Sequence, residues 1–341
     1  MKMRNILFPL SAMSITIALM GCGQVDRNHL EYADQADVTA MYASVETTPV
    51  ATNDDAADDP AIWLHPTDLS KTLIVGTDKK AGLGVYNLQG ELVQFVDYGE
   101  PNNVDIRQGV MMQGELMDVV AFSDRATNTV GWASIDEQGV TILESFASNE
   151  EPYGFCLGYQ DQSVYAFVTY KTGLIEQYQL DTDAQMSMPL RASYQLPSQL
   201  EGCVFDDLTG DLYVGEEAKG IWKFSAVASG FAEPLLIDEV GSASGIVADI
   251  EGMDIYRGET SLLVVSSQEN DSYALYELAP PHRFVKRFRV LSGETVDGAQ
   301  ETDGLAVTGT PLPGFPDGLL VVQDGYNDDG LQNFKLVNAA F

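Results

Sequence analysis

One pattern recurs through most of the chain and limits what it can fold into. A unit with a period of about 47–52 residues opens with an acidic or polar residue and runs into an apolar strand. After a turn comes a second apolar strand ending in a polar cluster, and then a Gly or Asn turn into a third, aromatic-containing strand. The openings are Asp58-Asp59-Pro60-Ala61-Ile62-Trp63, Asn103-Val104-Asp105-Ile106, Tyr153-Gly154-Phe155, Glu201-Gly202-Cys203-Val204, Glu251-Gly252-Met253 and Asp303-Gly304-Leu305. The second strands begin at Leu73, Val119, Ala166, Leu212, Leu262 and Leu319. The third run through Tyr86, Trp132, Tyr178, Trp222, Tyr276 and Phe334. Short runs of β-branched and aromatic residues between Gly, Asn and Asp turns read as strands, and no long amphipathic helix interrupts them. A repeat of this size is a supersecondary unit that buries its apolar faces only against its neighbours. Six such units, each of three or four strands, predict an all-β fold, a six-bladed β-propeller. A β-helix or a sandwich is the alternative, but its repeats would be shorter or less regular. A length of 341 residues with 45% hydrophobic content is ample for one domain of this kind.

In a propeller the first strand of each unit lines the central channel. Its start and the end of the antiparallel second strand therefore lie at one end of the molecule. The openings place Asp58, Asp59, Asn102, Asn103, Asp105, Tyr153, Glu201, Asp249, Glu251, Glu301 and Asp303 there. The second-strand ends add Asp78-Lys79-Lys80, Ser123-Asp124-Arg125, Tyr170-Lys171, Glu216-Glu217, Gln268-Glu269-Asn270 and Gln323-Asp324. Carboxylates crowded this way repel one another unless cations intervene. With three His in the chain, and none at ligand spacing to a Cys or a second His, the donors on offer are oxygens. Such a set selects Ca2+ or Mg2+ over Zn2+. Any one of these acids also reads as a turn residue; a dozen at one end do not. Basic residues are scarce, yet Lys79, Lys80, Arg125 and Lys171 fall at this same end of successive units. Cations beside metal-binding carboxylates suit a phosphate substrate, with metals activating water for in-line attack; ordinary salt bridges to neighbouring acids are the other reading. Other phosphatase chemistries lack their residues. There is no Arg-His-Gly triplet, no Cys followed five residues later by Arg, and no Gly-rich loop ending in Lys-Ser or Lys-Thr.

The overall balance, 18 Lys and Arg against 51 Asp and Glu for a formal net charge of −33, excludes nucleic acid and anionic membrane surfaces as partners. A solvated acidic surface accounts for part of it and cation binding for part. Lys2 and Arg4 precede an apolar stretch from Ile6 to Met20 that is too short and polar to span a bilayer, as in an export signal over 1–21. It ends Leu19-Met20-Gly21-Cys22, similar to a lipobox, with Cys22 then carrying a lipid; an ordinary signal peptide with a chance Cys is the alternative. The expectation is an exported protein, held by that lipid at the outer membrane or cell surface, periplasmic, or released, with no other membrane contact. Residues 22–45 read as a polar tether and 46–341 as the propeller, with part of 31–52 supplying a strand that closes the ring. Cys156 and Cys203 sit in apolar runs and read as buried free thiols, two cysteines being too few for a disulfide framework.

The motifs Asp55-Ala56-Ala57-Asp58-Asp59-Pro60-Ala61-Ile62-Trp63 and Asn102-Asn103-Val104-Asp105-Ile106-Arg107 resemble signatures of the β-propeller phytases, the alkaline calcium-dependent 3-phytases. The resemblance extends over about 46–338 and takes in Lys79-Lys80-Ala81-Gly82-Leu83, Glu216-Glu217, Asp249-Ile250-Glu251-Gly252, Thr302-Asp303-Gly304 and Gln332-Asn333-Phe334-Lys335. It implies the same six-bladed fold and hydrolysis of phytate, or calcium-phytate, by a monomer with several bound Ca2+. It implies that Asp58, Glu201, Glu217, Asp249, Glu251 and Asp303 hold the active-site ions. Lys79, Arg125, Tyr153 and Lys171 would hold phosphate, with Lys80 at a neighbouring subsite. Glu46, Asp59, Asn103, Asp105, Asp297 and Asn333 would serve structural Ca2+ or brace the fold. The implied mechanism is direct attack of a calcium-activated water on phosphorus, with Lys79, Arg125, Tyr153, Lys171 and Glu201 in the catalytic set. The chain departs from the family at His65, Asp124, Thr172 and Ala218; the last two remove acids beside the site, and the loop at Gln323-Asp324-Gly325 is short. A calcium-dependent propeller lactonase or sugar hydrolase would have little need of Lys79, Arg125 and Lys171 together. A non-catalytic calcium-binding lipoprotein would have lost signature residues, and none is lost.

Overall fold

The computed structural model describes residues 38–112, 114–181, 186–225, 227, 230–327 and 330–341. The export segment, Cys22 and the first part of the tether lie outside the described residues. Among those described there is no α-helix, and no helix is long and apolar enough to cross a membrane. The chain is all-β and propeller-like.

Each repeat unit is an antiparallel meander. β2 (Ala57–Trp63), β3 (Leu73–Asp78), β4 (Gly82–Asn87) and β5 (Leu92–Asp97) form one sheet. A second contains β6 (Pro101–Met112), β7 (Glu115–Asp124), β8 (Thr129–Asp136) and β9 (Gly139–Ala147). A third contains β10 (Gly154–Gln160), β11 (Ser163–Thr169), β12 (Leu174–Leu180) and β13 (Leu190–Gln195). The fourth is β14 (Leu200–Asp206), β15 (Asp211–Glu216), β16 (Gly220–Phe224) and β17 (Leu235–Glu239). The next unit supplies β18 (Ile250–Arg257), β19 (Ser261–Ser267), β20 (Ser272–Glu277) and β21 (Phe284–Leu291), and the last supplies β22 (Leu305–Thr308), β23 (Leu319–Asp324) and β24 (Asn333–Asn338).

The last unit takes its outer strand from the start of the chain. β1 (Val38–Glu46) pairs antiparallel with β24, Ala43 opposite Val337 and Glu46 opposite Lys335. It also pairs in parallel with β21, from Val38 opposite Arg287 to Tyr42 opposite Leu291. Those two units therefore merge into one eight-stranded sheet. The described residues form five sheets where six repeat units predict six, because β1 hydrogen-bonds to both neighbours. The tether expected up to residue 45 gives way to this strand at Val38.

The first strands touch in the cyclic order β2, β6, β10, β14, β18, β22 and back to β2. Glycines explain how closely they approach. A Cβ built on Gly154 would lie 1.9 Å from the Glu201 carbonyl oxygen, and one on Gly202 would lie 2.1 Å from that of Glu251. Gly252 and Gly304 are equally crowded, by Gly304 Cα at 2.6 Å and Asp59 Cα at 2.5 Å. The acid-glycine pairs of the openings thus have a steric cause: the acid projects while the glycine lets the neighbouring backbone in. A second device repeats beside it. The Ser123 hydroxyl donates to the Tyr153 carbonyl (3.0 Å), that of Thr169 to Glu201 (2.6 Å) and that of Ser266 to Thr302 (2.8 Å). Each hydroxyl lies near the end of a second strand and fixes the opening of the next unit.

Between neighbouring units lie apolar clusters rather than one central core. Val75 and Val85 pack with Val104 and Val120, Ala121 and Trp132 with Leu157 and Val168, and Leu319 and Phe334 of the last unit with Ile74 and Tyr86 of the first. Full burial of such side chains is worth about 1.5–3 kcal/mol each. Cys156 and Cys203, expected as free thiols, are joined in a disulfide between β10 and β14 with Cα atoms 5.7 Å apart. Their separation of 47 residues is close to one repeat, so nearly equal register on adjacent first strands sets them side by side. Closing a loop of that length restricts the unfolded chain by about 4 kcal/mol.

Gly202→Ala should therefore destabilise the protein by about 1–3 kcal/mol or more, as overpacking does. Calorimetry reads this as a lower melting temperature; an unchanged one would mean that the first strands spread freely.

Candidate active site

In four of the six units the turn at the opening is held by an acid at the end of the second strand. Asp124 Oδ1 accepts the Glu100 N–H at 2.8 Å, Glu216 Oε1 that of Ser198 at 2.9 Å, and Asp324 Oδ1 that of Gln300 at 2.9 Å. Asp78 Oδ2 accepts the Thr52 N–H at 3.3 Å. These second-strand acids anchor the segment that leads into the first strand of their own unit. That leaves the acids of the openings free to face a cavity of about 420 Å³ lined by Asp58, Lys79, Tyr153, Glu201, Glu217, Asp249, Glu251 and Asp303, with Asp55, Gln199, Glu269, Glu301 and Gln332 among the others.

Three of them converge. Glu201 starts β14, Glu217 follows β15 and Glu251 starts β18; all are buried, and one carboxylate oxygen from each lies within 4.8 Å of the others. Glu201 Oε1 accepts a hydrogen bond from Asn102 Nδ2 at 2.8 Å. Glu217 Oε1, Glu251 Oε2 and Asp58 Oδ1 are buried without any hydrogen-bond partner. None of the three glutamates makes an ion pair with Lys or Arg among the described residues. Burial pushes the Glu217 carboxyl up to about 7, with Glu201 and Asp249 adding to the shift. Burial likewise pushes Asp58 up to about 6, against the opposing pull of Lys79. Glu251 and Asp303 are raised well above the usual range, by burial and then by neighbouring carboxylates. Asp249 is raised by burial and by Glu269.

An all-oxygen set with orphaned buried oxygens at this spacing fits a hard divalent cation, whose ligands lie at about 2.3–2.6 Å. Inorganic charge of that kind removes the conflict that burial creates.

The cationic groups stand around this set. Lys79 Nζ pairs with Asp55 at 2.6 Å, Asp58 at 3.1 Å and Asp303 at 3.5 Å. Burial opposes its ammonium, but the three carboxylates outweigh burial and raise its pKa. Gln268 Nε2 also donates to Asp303. Tyr153 is raised by burial and then by Glu201 and Glu251, so its hydroxyl keeps its proton. The exposed Lys171 ammonium lies 4.2 Å from the centroid of the Tyr153 ring. Arg125 donates from Nη2 to the Lys79 carbonyl at 3.1 Å, and its Nε is buried without a partner. Lys80 points elsewhere and donates to the Asn53 carbonyl at 2.7 Å.

The remaining expected residues fall outside this cavity. Asp59 and Asn103 line an adjoining one of about 210 Å³ with Asp105, where Asp59 Oδ2 accepts the Val104 N–H at 3.0 Å. Asp105 pairs with Arg107 at 2.8 Å and accepts the Leu157 N–H at 2.8 Å. Glu46, Asp297 and Asn333 do come together, at a third cavity of about 350 Å³. The ammonium of the buried Lys335 stands among them: it pairs with Glu46 at 2.6 Å, with Asp297, and with Asp324 at 3.2 Å. An internal cation thus occupies the centre expected for a structural ion. Sequence reasoning gave no role to Asp55, Gln199, Gln332 or the hydroxyls of Ser123 and Thr169. The recurrence of Thr77, Ser123, Thr169 and Ser266 near the end of the second strand in four of the six units was the available signal for the last two.

Comparison with known proteins places this geometry. The chain matches the Phytase family model over residues 7–341. It is 38% identical over 329 residues to a 3-phytase from Bacillus subtilis (strain 168), covering 90% of this chain and 85% of that one. It shares its fold with a luciferin-regenerating enzyme, TM-score 0.57, at 11% identity, over 86% of this chain and 96% of the other.

The raised carboxyls carry a pH signature. Asp58 and Glu217 hold protons up to about 6 and 7 when folded, against ordinary values of 3.8 and 4.5. Between about pH 4 and 7 the unfolded chain loses these protons first, so the cation-free protein loses stability as pH rises. Millimolar Ca2+ should raise the melting temperature more at pH 8 than at pH 5, the stabilisation at pH 8 being about 2.7 kcal/mol per site at a hundredfold excess over Kd. An equal shift at both values would separate the cation from these carboxylates.

Proposed function

The chain belongs to the phytase family, and from that premise we propose that it is a calcium-dependent phosphomonoesterase that hydrolyses phytate to lower inositol phosphates and phosphate by direct attack of water on phosphorus. The observation that carries this reading is the Glu201–Glu217–Glu251 cluster, whose oxygens lie within 4.8 Å of one another beside Lys79 and Tyr153. An all-carboxylate cavity would repel phytate; one charged with hard cations would attract it.

Asp58, Glu201, Glu217, Asp249, Glu251 and Asp303 would hold several Ca2+. When bound, these ions supply Lewis acidity toward phosphoryl oxygens and lower the pKa of water. The remaining work falls to the chain's own groups. Lys79 presents its ammonium to the cavity while holding Asp58 and Asp303 in place. Arg125, with an unused Nε, and Lys171, exposed above Tyr153, neutralise the equatorial oxygens of the phosphoryl group. Tyr153 keeps its proton and offers a donor. Lys80, exposed on the same turn, would reach a neighbouring phosphate of the same inositol ring only by leaving the Asn53 carbonyl.

Six blades underlie this arrangement. The cyclic order of first strands and the apolar clusters between consecutive units support that count, with the eight-stranded sheet as two blades joined through β1. The acidic net charge and the Lys2 to Cys22 segment support export as a lipoprotein, at the cell surface, in the periplasm or released. A monomer suffices, because every site residue belongs to one chain.

Phosphate release from phytate should require millimolar Ca2+ at neutral to mildly alkaline pH and stop with chelator; a folded protein silent in both conditions defeats the reading. Glu201→Gln should raise the Ca2+ concentration needed for half-maximal release by about tenfold or more, as loss of one charged ligand does. An unshifted titration would remove it from the cation site. Arg125→Ala should lower turnover by about tenfold or more while leaving the melting temperature nearly unchanged; near-normal turnover would refute its role.

A further inference from the structure

Cys156 lies three residues after Tyr153, and Cys203 two residues after Glu201, on adjacent first strands. At about 3.3 Å of rise per residue, their disulfide crosses the channel wall within roughly 10 Å of both groups. The boundary it spans is the one that Glu201 bridges. Glu201 belongs to the β14 unit but takes its donors from the two preceding units: Asn102 Nδ2 at 2.8 Å, and the Tyr153 hydroxyl. Its backbone is pressed against Gly154, and its carbonyl is held by Thr169, both of the β10 unit. Lys171 reaches the site from that same unit, over the Tyr153 ring.

We propose that the Cys156–Cys203 disulfide positions the active site: it locks the unit carrying Tyr153 and Lys171 against the unit carrying Glu201 and Glu217, and so sets how tightly the cavity holds its cations. The inference rests on the calcium-dependent reading above.

Two features separate this role from that of a general staple. The same pair of strands is already bridged further along by Arg107, whose Nη2 donates to the Leu157 carbonyl at 2.6 Å and to that of Phe205 at 3.4 Å. The covalent link therefore adds less to holding the units together than to fixing their register beside Glu201. It is also the one covalent tie between units among the described residues, and its cysteines line the adjoining cavity of about 210 Å³, a few residues along the same strands from Tyr153 and Glu201. Loss of partners that orient metal ligands costs about 10–100-fold in metal affinity, and a disulfide that fixes the spacing of those partners acts on the same quantity.

The test compares the full chain with its Cys156→Ser/Cys203→Ser variant. The Ca2+ concentration that half-saturates the thermal shift, and calorimetric Ca2+ binding, are measured together with kcat and KM for phytate at saturating Ca2+. Wild type reduced with dithiothreitol, desalted and then reoxidised gives the reversal. The expected result is a Ca2+ midpoint raised about tenfold in the variant and in reduced protein, returning on reoxidation, with kcat largely recovered at saturating Ca2+. A variant with a lower melting temperature but a Ca2+ midpoint within about twofold of wild type would overturn the inference and leave a plain staple. Wild type without any calcium dependence would overturn this inference and the proposed function together.

Discussion

The first strands pack backbone against backbone around the channel, and the rest of the molecule follows from how near they come. Contacts of this kind exclude any Cβ at Gly154, Gly202, Gly252 and Gly304. The residue before each glycine, Tyr153, Glu201, Glu251 or Asp303, is thereby carried to the same level of the ring. Convergence of four functional side chains is thus a by-product of packing, with Ser123, Thr169 and Ser266 fixing the carbonyls at that level. No long-range signal is needed to assemble the site once the strands close on one another.

That packing creates an electrostatic conflict, which the protein resolves in two ways. At Glu46, Asp297 and Asp324 the chain supplies its own cation, the buried ammonium of Lys335. At Glu201, Glu217 and Glu251 no Lys or Arg forms an ion pair among the described residues, and burial raises the pKa of Glu217 and Glu251, which disfavours their charged forms. Lys79 stands between the two cases, since it neutralises Asp58 and Asp303 without reaching the glutamate triad. A cluster filled by its own lysine is a brace. The glutamate triad, which has no lysine of its own among the described residues, is the candidate cation site.

Much of this was legible in the sequence because each repeat repeats its chemistry. The second and third strands fall on β3, β7, β11, β15, β19 and β23, and on β4, β8, β12, β16, β20 and β24, as their apolar runs predict. Asp58, Lys79, Tyr153, Glu201, Glu217, Asp249, Glu251 and Asp303 line one cavity as their place in the repeat predicts. What escaped depends on comparing units with one another. Two cysteines in apolar runs read as free thiols when each is taken alone; only their nearly equal register in successive openings points to the disulfide. β1 lies outside the repeat, and its parallel pairing with β21 cannot be inferred from a unit that lacks its fourth strand. Lys335 belongs to a strand that looks wholly structural, and nothing in its own neighbourhood announces that it turns inward among three acids, of which Glu46 lies 289 residues away.

Adjacent residues with the same side chain show how finely position decides role. Asp58 and Asp59 project to opposite sides of one strand, as alternation along β2 requires. Asp59 Oδ2 accepts the Val104 N–H of the next unit (3.0 Å), as Asp105 Oδ2 accepts that of Leu157 (2.8 Å) and Asp254 Oδ2 that of Val307 (2.7 Å). Each of these acids clasps the following unit by accepting one of its backbone N–H groups. Asp58 Oδ1, Glu217 Oε1 and Glu251 Oε2 meet no such donor. The channel is therefore divided by hydrogen-bond supply, not by composition: where backbone N–H groups reach the carboxylates neighbouring units are clasped together, and where they do not the carboxylates keep unpaired oxygens at the cavity.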